Sequence, residues 1–65
     1  MTDAQLATID TLRDSGFVDT FSALKRDGRW EIRGHYPEPV TSLSSRQYFI
    51  TILPDGSYRV TYKAG

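Results

Sequence analysis

Two Asp-Gly turns, Asp27-Gly28 and Pro54-Asp55-Gly56, each lie between runs in which large apolar residues alternate with period two. Turns of this kind join antiparallel strands, and the alternation sends one set of side chains to one face. With Pro54-Asp55-Gly56 as a three-residue loop and Gly56 left-handed, Leu53 faces Ser57, Ile52 faces Tyr58, Ile50 faces Val60 and Tyr48 faces Tyr62. With Asp27-Gly28 as a two-residue loop, Arg26 faces Arg29, Lys25 faces Trp30, Ala23 faces Ile32 and Phe21 faces Gly34. Tyr48, Ile50, Ile52, Tyr58, Val60 and Tyr62 then share a face, and Trp30, Ile32 and Tyr36 share one on the first hairpin.

Upstream of the hairpins the pattern changes to that of a helix over about residues 3–15. Thr2 with Gln5 three residues on forms a capping box, and Met1 and Leu6 are placed as a hydrophobic staple. Asp3 falls in the first turn, where the helix dipole favours an anion. Leu6, Ile9 and Leu12 form the apolar stripe, and Asp3, Asp10 and Asp14 avoid it. Gly16 supplies a left-handed stop, with Phe17 placed to pack back on Leu12.

Residues 17–26 admit two readings. Phe17, Val18, Phe21 and Leu24 have helical spacing, and Asp19 could cap a short second helix. The strand reading is preferred because residues 29–36 otherwise lack a hairpin partner. Residues 37–45 contain Pro37, Pro39 and four Ser/Thr, which argues for a loop. Val40 and Leu43 are expected to tuck under the sheet edge there. The fold expected is α+β: one N-terminal helix on a four-stranded antiparallel sheet of two hairpins, a two-layer sandwich. Its strands run over about 17–26, 29–36, 46–53 and 57–63. Leu6, Ile9, Leu12, Trp30, Ile32, Ile50, Ile52 and Val60 are its expected core.

Sixty-five residues make one small domain, which buries only about 60% of its unfolded surface and reaches a stability of roughly 3–5 kcal/mol. No cysteine is present to staple it or to supply thiolate ligands. His35 is the only histidine, so a His-rich metal site is excluded and no cofactor is implied. The serines of the 37–45 loop have no base nearby in sequence, and the glycines make no phosphate-binding pattern. A domain of this size is also expected to lack a substrate pocket of ~300 Å³ or more. The chain is therefore read as non-enzymatic, with no small-molecule substrate. No apolar run approaches the ~20 residues of a membrane span. With Met1 taken as the natural start, the polar opening lacks a secretion signal and the expected location is the cytoplasm.

Eight basic and eight acidic residues cancel, but the expected faces do not share the charge equally. The open sheet face is assigned Arg26, Arg29, Glu31, Arg33 and His35 from the first hairpin. From the second it takes Gln47, Phe49, Thr51, Leu53, Arg59, Thr61 and Lys63. Arg26, Arg29, Arg33, His35, Phe49, Leu53, Arg59 and Lys63 are the candidate binding residues. A protein partner or a second copy of the chain is the preferred target. Nucleic acid is the alternative, with cations on phosphates and Phe49 stacking on a base. An ordinary solvated face of Arg, Lys and Thr is the competing structural explanation. The aromatic residues Trp30, Tyr36, Tyr48, Tyr58 and Tyr62 alternate with Ile32, Ile50, Ile52 and Val60, which reads as core and not as a ligand cage.

The order of helix, glycine stop, strand ending in Arg26-Asp27-Gly28, then Trp30-Glu31-Ile32 and Tyr48-Phe49-Ile50-Thr51-Ile52 before Pro54-Asp55-Gly56 resembles the layout of PepSY-type small domains. The resemblance spans residues 3–63. It implies binding or inhibition of other proteins, often peptidases, and transfers no site residues. The chain departs from many members in lacking a secretion signal and in its proline-containing 37–45 loop.

Overall fold

Helix α1 spans Asp3–Asp14, and both of its ends are built as the sequence predicts. The Thr2 hydroxyl accepts from the Gln5 backbone N–H while Gln5 Oε1 accepts from the Thr2 N–H. At the other end Phe17 N–H donates to the Leu12 carbonyl and Gly16 N–H to that of Arg13, the paired bonds of a Schellman stop. This stop turns the Phe17 ring inward, where it is buried. The computed structural model describes residues 1–36 and 47–63, without the side chain of Lys63. The expectations for Val40 and Leu43 lie outside the described residues.

Four antiparallel strands follow in sequence order: β1 Val18–Leu24, β2 Trp30–His35, β3 Gln47–Ile52 and β4 Tyr58–Lys63. Residues 18–24 are thus a strand, and the short second helix does not form. The β3–β4 register is the expected one, with Ile52 opposite Tyr58, Ile50 opposite Val60 and Tyr48 opposite Tyr62.

The β1–β2 register differs from expectation by one residue. Leu24 faces Trp30, Ala23 faces Glu31, Ser22 faces Ile32 and Phe21 faces Arg33. A two-residue loop of the favoured hairpin kind needs positive φ at both central residues. Only Gly28 adopts it, at φ 92°. The loop is therefore Arg26-Asp27-Gly28, closed by bonds between Lys25 and Arg29 and from Gly28 N–H to the Lys25 carbonyl. It repeats the Pro54-Asp55-Gly56 loop, where Gly56 has φ 90° and Leu53 pairs with Ser57. In both loops the Asp Oδ1 accepts a backbone N–H two residues on, from Arg29 and from Ser57. The slip moves Phe21 and Ala23 to the open face and moves Arg26 off the ladder into the loop. A bulge between Asp19 and Phe21 then returns Asp19 to the helix side, opposite Gly34.

The core consists of Ile9, Leu12, Phe17, Trp30, Ile32, Ile50 and Ile52. Two of the eight expected members are missing from it, Leu6 at 43% and Val60 at 42% exposed, and Tyr58 and Tyr62, also read as core, are 53% and 58% exposed. The helix is rotated so that Gln5, Ile9 and Leu12 face the sheet, which carries Leu6 outward. A polar stripe on the helix sets this rotation. Thr2 Oγ1 donates to the Pro54 carbonyl at 2.6 Å, Gln5 Nε2 to those of Gly28 and Ile52, and Thr8 Oγ1 to that of Gly56 at 2.7 Å. Each such bond contributes about 1 kcal/mol net. A Cβ on Gly56 would come within 3.0 Å of the Ala4 carbonyl, so the loop and the helix touch backbone to backbone. Held over β2 and β3 in this way, the helix leaves Tyr58, Val60 and Tyr62 on the same sheet face largely exposed.

Candidate binding face

Side chains on the face away from the helix are set in rows across the strands by the ladder registers. One row contains Phe21, Arg33, Phe49 and Thr61, and the next contains Ala23, Glu31, Thr51 and Arg59. In the first row the Arg33 guanidinium carbon lies 5.2 Å from the centre of the Phe21 ring and 5.6 Å from that of Phe49. Each contact is worth about 0.5–1 kcal/mol at an exposed site. Two rings hold the planar cation in place and still leave it exposed to solvent. Among the described residues Arg33 is in no ion pair, so its donors remain free to meet an anion from outside.

The cations nearer the loop are engaged. Lys25 Nζ lies 3.4 Å from Glu31, and Arg29 meets Asp27 at 2.8 Å and Glu31 at 4.0 Å. The Arg29 backbone N–H, then its side chain, holds the Asp27 carboxyl below its ordinary range. Arg29 thus stabilises its own loop as well as contributing charge to the face.

Of the eight candidate residues, Arg33, Phe49 and Arg59 lie on the face as expected, with Arg29 at its loop end. His35 is half-buried opposite Val18, one row beyond Arg33. Leu53 is 41% exposed and lines a solvent-open depression of about 400 Å³ with Arg29, Thr51, Ser57, Tyr58 and Arg59. Lys63 stands opposite Gln47, but its side chain lies outside the described residues. Arg26 does not belong, since it is a loop residue, and Lys25 takes its place.

Phe21, 54% exposed, is the residue that sequence reasoning placed on the wrong face. The sequence carries no decisive signal for this, since Asp27-Gly28 fits a loop of two or of three residues. A second depression of about 300 Å³ runs between Phe21, Ala23, Glu31, Arg33, Phe49 and Thr51. The expectation that no such volume exists is therefore corrected: the space is there, as surface grooves on the sheet. Among the described residues no three His, Asp or Glu gather into a metal-binding group. No helix among them is long and apolar enough to cross a membrane. Compared with family models, curated proteins and solved structures, the chain finds no match.

Proposed function

We propose that this chain is a non-catalytic binding domain whose open sheet face docks a segment of another protein. The observation that carries this reading is the Phe21–Arg33–Phe49 row, an exposed and a half-buried ring flanking a cation with no carboxylate partner among the described residues. A segment bearing Asp or Glu beside an apolar side chain matches that row. The carboxylate takes the Arg33 fork and the apolar group covers a ring. The PepSY-like order of elements in the sequence supports a protein partner as well.

The test is affinity capture with the wild-type chain beside Arg33→Ala and Phe49→Ser, both at surface positions that leave the core intact. A partner held by the wild type and lost from both variants supports the reading. Capture that is unchanged in both variants overturns it.

Phe21 gives the nucleic-acid alternative a specific basis, because it adds an exposed ring beside the half-buried Phe49 on which a base can stack. Titration of a labelled mixed-sequence single strand at low salt separates the two readings. Binding whose salt slope falls by about one unit in Arg33→Ala marks a direct phosphate contact. No signal at low salt eliminates the alternative.

A further inference from the structure

The free edge of β4 differs from that of β1. β1 is bulged between Asp19 and Phe21, and the bulge bends an edge away from further pairing. β4 pairs with β3 over six residues without any shift of register, and among the described residues nothing pairs with its other side. The polarity of that side follows from the loop. Leu53 and Ser57 form a hydrogen-bonded pair. Alternation then makes Thr51–Arg59 and Phe49–Thr61 the next such pairs. The backbone N–H and C=O of Tyr58 and Val60 consequently point outward, along the free edge. Their side chains lie on the helix side of the sheet, yet they are 53% and 42% exposed because the helix does not reach over them.

We propose that this edge pairs with β4 of a second copy of the chain, antiparallel, with Val60 opposite Val60. A two-fold axis perpendicular to the sheet then joins two four-stranded sheets into one of eight strands, with both helices on the same side. Tyr58 of each copy faces Tyr62 of the other, and Val60, 42% exposed in the single chain, lies beside its equivalent. Charge selects this register among its neighbours. Centred on Val60, Arg59 faces Thr61 and Lys63 faces Ser57. A shift one way sets Arg59 against Arg59, and a shift the other way sets Arg59 against Lys63. Like charges directly opposite are destabilising. The Val60-centred register is the one of the three that avoids them.

Sedimentation equilibrium tests the proposal with three variants. The wild type is expected to show a monomer–dimer equilibrium. A chain that remains monomeric up to about 1 mM, the scale of the weakest specific contacts, overturns the proposal. Val60→Pro removes an outward N–H and no bond of the β3–β4 ladder, so it is expected to be a folded monomer. Val60→Asp and Val60→Lys each set like charges at the two-fold axis and are expected to weaken the dimer at least about tenfold. An equimolar mixture of the two is expected to recover a heterodimer, because the residue at the axis faces its own equivalent. This mixing result decides the matter even if Val60→Pro fails to fold. Mixed chains that stay monomeric beside a dimeric wild type overturn the register. A dimer lost in Arg33→Ala but kept in Val60→Asp places the contact on the open face and overturns the proposal.

Discussion

Gln5 Nε2 lies 2.7 Å from the Gly28 carbonyl oxygen and joins the first turn of the helix to a hairpin loop 23 residues away. The same amide nitrogen donates to Ile52 at 3.0 Å, and Oε1 accepts from Thr2. One fully buried side chain thus ties the helix cap, a hairpin loop and β3 together through three backbone polar atoms. Replacing it with Leu keeps the volume but removes both amide bonds, leaving the Ile52 carbonyl with only its ladder partner on β2 and that of Gly28 partly exposed to water. The expected loss is about 1–3 kcal/mol, from roughly 0.5–1.5 for each bond lost. Gln5→Glu is expected to be worse, since an ionised carboxylate faces two carbonyls. Urea midpoints of the two variants check both statements.

Ile50 and Val60 face each other across β3 and β4, but only Ile50 is under the helix. Ile50→Ala is expected to cost about 2–5 kcal/mol. Val60→Ala is expected to cost under about 1 kcal/mol in dilute monomer. Equal losses measured by thermal melting would contradict the burial described for this pair.

Gly34 is the point of closest approach between β2 and the chain leaving the helix. A Cβ there would collide with the Val18 carbonyl and lie 2.5 Å from Phe17 Cζ. Gly34→Ala is expected to destabilise by about 1–3 kcal/mol, the usual range for overpacking. Adding Phe17→Ala does not restore stability, because the Val18 carbonyl is backbone and cannot swing aside. The double variant beside each single one tests this by calorimetry.

Arg13 bridges to Asp19 through two bonds, Nε to Oδ1 at 3.0 Å and Nη2 to Oδ2 at 2.9 Å, and ties the end of the helix to β1. The Arg13 hydrogen bond holds the Asp19 carboxyl below its ordinary value. Asp55, held by the Ser57 hydroxyl, and Asp27 shift the same way. A depressed carboxyl contributes stability above its unfolded value of about 3.9, and that contribution disappears as pH falls through the lower folded value. Asp19→Asn is therefore expected to lower the urea midpoint near neutral pH. The gap from wild type should narrow as pH falls below about 3.9, the unfolded carboxyl value. A gap that widens in acid would show that the bridge is not the source.

The helix, its two caps and the second hairpin were legible because each has a local signature: Thr2 with Gln5, Gly16 with Phe17, and a proline that starts the Asp55-Gly56 loop. The first hairpin was not, because Asp27-Gly28 fits loops of two or three residues equally well on composition. The choice rests on whether Asp27 adopts positive φ, and it does not. That single residue reverses the faces of Phe21 and Ala23, and with them half of the aromatic pair on the candidate face. The exposure of Val60 was hidden for a different reason. Alternation tells which side of the sheet a residue takes, but the reach of a 12-residue helix over four strands is a matter of tertiary geometry.

The hydroxyl of Thr2 and the carbonyl of Pro54 are 52 residues apart in the chain and 2.6 Å apart in space. Translation runs from the helix toward that loop, so the helix is bonded by a segment made well after it. Each strand can pair with its predecessor as it emerges, but Ile9 and Leu12 have no complete seat until Ile52 has been made. A nascent chain halted before Ile50 therefore presents a helix with its apolar side only partly covered, and that stage is when chaperones and proteases have most to grip.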